Sequence, residues 1–215
     1  VSDCSRVSRP GVPSGRLTLL QSLTAVASQS SEVGYADLPG TLDPGFLADL
    51  GADLGACLVL HPGAGRWGRA CAMARLLAGA GLPWMGIALE AGRPVERPWA
   101  HALGALTETI SARGGVCVVA APAPLPRPLA HAASLVLTCE GLGWHRAHSD
   151  VAGLRVRVRV TKCKVGAPGA EAALLLRYPR PYAMGEVVGL PTVVTPRLQP
   201  AGSELLPVVA ASGGA

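Results

Sequence analysis

Two glycine-bearing stretches have residue types and spacing that could hold a phosphate. The first, RPGVPSGRLTLL at 9–20, keeps the spacing of the phosphate loop G-x-x-x-x-G-K-[ST]. Gly15 takes the second glycine position, Pro10 the first, Arg16 the lysine and Leu17 the hydroxyl position, while Gly11, Ser14 and Thr18 complete the candidate loop. Phosphate chemistry there needs backbone amides around the oxygens, a compact ammonium on the β/γ phosphates and a hydroxyl on magnesium. Pro10 removes one donor, Arg16 offers a bulky planar fork, Leu17 cannot bind metal, and Thr18 stands one position late. The second stretch, GAGRWG at 63–68, matches G-x-G-x-x-G, with Glu90 at the end of the next apolar run where a ribose-binding acid would stand. It would imply a dinucleotide-binding oxidoreductase using NAD(P). However, the chain holds 27 glycines, so chance matches are common, and His61-Pro62 interrupts the tight turn such a motif requires.

Other reactive side chains form weaker constellations. His145 and His148 in WHRAH are too few for a closed metal site. Ser14, Ser134 and Ser149 have neither a G-x-S-x-G setting nor a paired His and Asp. Six cysteines (Cys4, Cys57, Cys71, Cys117, Cys139 and Cys163) lack any C-x-x-C spacing and mostly lie in apolar runs, which predicts buried free thiols in a reducing cytoplasm. Seventeen of the 19 basic residues are arginine; the two lysines are Lys162 and Lys164. A net charge of +5 mildly favours acidic partners. Aromatic residues make up only 4%, which argues against base-stacking platforms and for an aliphatic core. The apolar runs fall short of a membrane span and the N-terminus lacks a signal-peptide shape, so a cytoplasmic protein is expected.

The elements that must position these residues alternate. Short apolar runs at VGYAD (33–37), ACLVLH (56–61), WMGIALE (84–90), VCVVAA (116–121) and ASLVLTCE (133–140) suit strands of a parallel sheet buried on both faces. Between them, 16–29, 66–77 and 98–112 have helical spacing. The expectation is an α/β fold, mostly parallel and flanked by helices. After residue 150 the period becomes two: LRVRVRVTKCKV and ALLLRY predict an antiparallel hairpin, with Val156, Val158 and Val160 inward and Arg155, Arg157 and Arg159 outward. Residues 1–178 read as the core and 179–215 as a Pro-rich, partly disordered tail.

The segment YADLPGTLDPGFLADLGADLGACLVLHP resembles the RecA recombinase family, with Leu42, Asp43, Pro44, Leu50, Gly51 and Asp53 at the matching positions. The likeness resumes at SLVL and at LRVRVRVTKCKVGAP, which is similar to the hairpin bearing that family's K-x-K-x-x-x-P motif. It covers about two thirds of the chain and implies a RecA-like P-loop NTPase core. Asp43 and Pro44 also suit a helix start, as N-cap and first residue.

What the resemblance implies is as much in the departures. Pro39 stands where the family has its catalytic glutamate, Asp37 lies two residues earlier, and Glu90 falls near the metal-linked aspartate. The two loops that hold single-stranded DNA in the family correspond to 91–99 and to APAPLPRPLAHA, both short; Arg93, Arg97 and Arg127 could give only weak or indirect DNA contact. About ten residues precede the phosphate loop, too few for the helix that joins neighbours in such filaments, so self-assembly is not expected. Lys162 and Lys164 keep the K-x-K pair that in the family reaches a neighbouring protomer, and together with Arg155, Arg157 and Arg159 they form the candidate partner interface. A degenerate core of this length looks like the ImuA-type accessory proteins of bacterial SOS mutagenesis. That resemblance implies a non-catalytic adaptor for translesion synthesis or a modulator of RecA, with RecA or an ImuB-like polymerase subunit as partner. No cofactor or metal is expected beyond weak ATP binding. The alternatives are a RecA-like repair protein with weak DNA-dependent ATPase and the NAD(P)-linked oxidoreductase.

Overall fold

The computed structural model describes residues 12–92, 94, 99–147 and 150–178. Pro10, Gly11, Cys4, Arg93, Arg97, His148, Ser149 and the proposed 179–215 tail therefore lie outside the described residues.

Two layers of helix enclose a four-stranded parallel sheet of β1 (Val33–Asp37), β2 (Cys57–Leu60), β3 (Trp84–Ala88) and β4 (Val116–Ala120), ordered β2-β1-β3-β4. Its register pairs Val33 with both Cys57 and Trp84, and Trp84 with Val116. β1 is buried at all five residues, as a central strand covered on both faces should be. On one face lie α1 (Arg16–Ser28) and α2 (Pro44–Asp49); Leu20 packs there against Tyr35, Ala88 and Ala120. On the other face α3 (Trp67–Gly79), α4 (Trp99–Arg113) and the short α5 (Arg127–Ala132) bury Trp67, Ala70, Ala74, Leu103, Leu106 and Leu129 against Met85 and Ile87. Alternation along β4 follows from this: Val118 and Ala120 face α1, while Cys117 and Val119 face α3 and α4.

The α/β class and the three long helices match the sequence reading. One strand does not. The run at 133–140 was expected in the parallel sheet, but β5 (Leu135–Ala147) belongs to a separate antiparallel sheet ordered β5-β6-β7, with β6 (Asp150–Cys163) and β7 (Glu171–Arg177). A short apolar run fits either setting, and only the pairing of Leu137 with Val160 and of Cys139 with Val158 decides between them. The expected hairpin is thus the far part of a three-stranded meander. Leu154, Val156 and Leu176 form its small core, closed from above by Val12 and Leu19.

Local chemistry accounts for the joints. Asp43 caps α2, its Oδ1 accepting from the Gly45 amide at 2.8 Å with Pro44 as the first helical residue. Asp53 caps the following 3-10 turn in the same way at 2.9 Å.

Candidate functional site

The stretch with phosphate-loop spacing runs into the start of α1. Gly15 precedes α1 in a left-handed conformation (φ 73°), a position glycine takes without steric cost, and the Ser14 Oγ lies 3.5 Å from the Arg16 amide. The space beside it is filled. A Cβ on Gly15 would lie 2.7 Å from Val156 Cγ2, 3.0 Å from Leu176 and 3.1 Å from Leu154. The loop therefore presses directly on the antiparallel sheet, and the Pro13 carbonyl lies directly over Gly141 of β5. Arg16 and Leu17 are half-buried, and Leu17 packs with the Leu20 cluster. Thr18 bonds the Tyr178 phenol.

At the carboxyl ends of β1 and β3 stand two acids. Asp37 is 2% exposed; its Oδ2 accepts from the Leu42 amide at 2.8 Å and closes the turn that contains Pro39. Beside it Tyr35 bonds Gln21, and burial, reinforced by the Asp37 charge, pushes its phenol well above the ordinary range. Glu90 turns back onto the glycine loop at 63–68: its Oε1 accepts from the Gly65 amide at 2.5 Å and from the Trp67 indole at 3.1 Å. A dinucleotide pyrophosphate would need that same amide, so Glu90 serves α3 as the anion at its N-terminus.

Three buried polar atoms among the described residues have no hydrogen-bond partner within the chain: Arg16 Nε, Asp37 Oδ1 and Glu90 Oε2. All belong to residues marked by their sequence spacing, and they come from the first turn of α1 and the carboxyl ends of β1 and β3. In open α/β sheets ligands bind outside the carboxyl ends of the strands.

The candidate partner interface lies on β6. Strict alternation would place Lys162 and Lys164 with the inward valines. A bulge prevents this: Leu137 pairs with Val160 and its neighbour Val136 with Lys162, so Thr161 is an extra residue and the side-chain parity reverses after it. Lys162 consequently projects on the same face as Arg155, Arg157 and Arg159. The Thr161 hydroxyl settles the irregularity by donating to the Val136 carbonyl at 3.2 Å. Both lysines are engaged within the chain, Lys162 Nζ donating to the Ala130 carbonyl at 2.6 Å and the His131 carbonyl at 3.2 Å, and Lys164 Nζ to Ala132 at 3.4 Å. They thus cap the C-terminus of α5, where cations are favoured. Arg157 bridges Glu140 (3.2 Å) and Glu171 (3.0 Å), and Arg159 meets Glu171 at 2.6 Å.

Sequence reasoning missed a half-exposed row of aromatics. Phe46 of α2 meets Tyr178 edge-on at 6.2 Å, and Tyr178 lies 6.4 Å from Trp144 of β5. These side chains are more than 30 residues apart and nothing in their local spacing links them. The five described cysteines are free thiols; Cys71 is buried and the others are partly so. Burial raises the Cys71 thiol to about 11 and the Cys117 thiol to about 12. Among the described residues no cluster of His, Cys, Asp and Glu suits a metal, and no helix is long and apolar enough to cross a membrane. Comparison with protein-family models and with curated proteins returned no match.

Proposed function

We propose that this chain is a non-catalytic, RecA-like accessory protein of the bacterial DNA-damage response, acting as an adaptor for translesion synthesis or as a restraint on RecA. The observation that carries the reading is the charged face on β6, where the Thr161 bulge groups Lys162 with Arg155, Arg157 and Arg159, the last two paired with Glu140 and Glu171, beside the α5 clasp. A surface that docks on an active recombinase protomer, in a chain without a working nucleotide site, ends a filament, because a heterologous interface propagates only when both faces work. The altered loop supports the absence of turnover: Arg16 replaces the ammonium, Leu17 is packed in the core, and Gly15 is closed off by Val156, Leu154 and Leu176. The test adds the protein to an active recombinase at equimolar amounts, measures strand exchange, and isolates its partners from DNA-damaged cells. Inhibition, or recovery of the recombinase or a translesion polymerase subunit, weakened by Arg155→Ala with Lys162→Ala, is expected. No inhibition together with no co-purification removes the proposal.

Weak ATP binding without turnover is a second reading, favoured by the three unpartnered polar atoms at the sheet's carboxyl edge. Parallel titrations with ATP and NAD test it: binding of ATP alone, reduced by Arg16→Ala, is the expected result. Binding of NAD reduced by Gly65→Val would instead revive the oxidoreductase reading.

A further inference from the structure

We infer that β7 pairs antiparallel with β7 of a second copy of this chain, so that one sheet runs through both molecules. Among the described residues β7 ends the order β5-β6-β7. Its seven residues, EAALLLR, include no proline and no glycine, and their register against β6 is unbroken. Proteins ordinarily blunt such an edge with a proline, a bulge, an inward charge or a very short strand. β2, which ends the parallel sheet, has only four residues.

Backbone parity decides which groups this edge offers. The Val160 amide donates to the Ala170 carbonyl at 2.8 Å, and the Tyr178 amide to the Ala152 carbonyl at 3.0 Å. Between these bonds the paired residues alternate, so Ala172, Leu174 and Leu176 turn their main-chain groups to β6. Glu171, Ala173, Leu175 and Arg177 turn theirs outward.

The side chains then select the occupant, because EAALLLR is complementary to itself when reversed. With a two-fold axis at Leu174, Glu171 stands opposite Arg177 of the second copy, Ala173 opposite Leu175, Ala172 opposite Leu176, and Leu174 opposite itself. Each end sets an acid against a base, and on both faces a small residue meets a large one. The same register matches outward-turned residues with outward-turned residues, so their donors and acceptors meet in pairs. A slip by one pleat repeat would instead set Glu171 opposite Leu175, or Arg177 opposite Ala173. Glu171 already takes Arg157 at 3.0 Å and Arg159 at 2.6 Å, and Arg177 of the second copy extends that network. The pairing is isologous and closes at the dimer. Opposed residues of an antiparallel pair share a face, so the charged faces of the two β6 strands lie on one side of the joined sheet.

Sedimentation of the full-length chain from about 1 to about 100 µM tests this. The parent should form a dimer that dissociates on dilution, since a single strand pair is a small interface. Ala173→Pro removes an outward N–H and leaves the bonds to β6 in place, so it should be monomeric across the range. Arg177→Glu sets glutamate against glutamate at both ends and should weaken the dimer roughly tenfold, less so in high salt. A parent that stays monomeric or grows beyond a dimer overturns the inference, as does an Ala173→Pro or Arg177→Glu dimer as tight as the parent's. Should Ala173→Pro fail to fold, Leu174→Cys is oxidised and its disulfides are mapped by mass spectrometry. A link joining the introduced thiol to its own copy in a second molecule is expected; covalent dimers made only through other cysteines, or none, overturn it.

Discussion

At the residue scale, Gly15 carries two constraints at once, a positive φ and direct contact with Val156 Cγ2. Gly15→Ala should therefore cost about 2–4 kcal/mol, combining left-handed strain with overpacking. Gly104, inside α4 with open space where a Cβ would go, is the opposite case: Gly104→Ala should stabilise by about 0.5–1 kcal/mol through helix propensity. Urea unfolding of the two variants beside the parent chain gives both signs. The spacing of RPGVPSGRLTLL marks Gly15 as special, and its helix-start role is legible there. The role of Asp43 as a cap was legible too, because it rests on residues two positions away. Those of Asp37 and Glu90 were not. Glu90 bonds across 25 residues to Gly65, and the choice between ribose ligand and helix cap depends on which way a single carboxylate turns.

At the element scale, the bulge at Thr161 decides what the lysines do. Alternation over LRVRVRVTKCKV assigns the valines and arginines correctly, since Val156 is buried while Arg155 and Arg159 are exposed. Carried on unbroken it would turn the lysines inward, but one unpaired residue reverses the face of everything after it. The consequence is a clasp between the end of β6 and the last turn of α5. Lys162→Ala with Lys164→Ala should lose roughly 1 kcal/mol in denaturant unfolding, and that loss should shrink in high salt, since the stabilisation is a charge at a helix terminus. β5 teaches the same lesson: its apolar run was read as one more parallel strand, and only its partners across the sheet show otherwise.

At the scale of the molecule, buried titratable groups set how stability depends on pH. In the unfolded chain the thiols of Cys71 and Cys117 ionise near 9.0, whereas folding holds them to about 11 and about 12. The folded state therefore retains more protons in that interval, so the contribution of these groups is level below about pH 9 and is lost as pH rises toward 12, with Tyr35 adding to the loss in the same direction. Urea midpoints between pH 7 and pH 11 should show a plateau followed by a decline, and a rising midpoint above pH 9 would contradict the burial of these groups. By itself the sequence determined the alternation of strands and helices and the cap at Asp43, because each depends on residues a turn or a pleat apart. Only the tertiary structure decided that Gly15 is closed off by a second sheet, that Glu90 holds Gly65, that β5 leaves the parallel sheet, and that Lys162 shares a face with the arginines. These depend on contacts across tens of residues and on one extra residue in a strand, for which local period and propensity carry no signal.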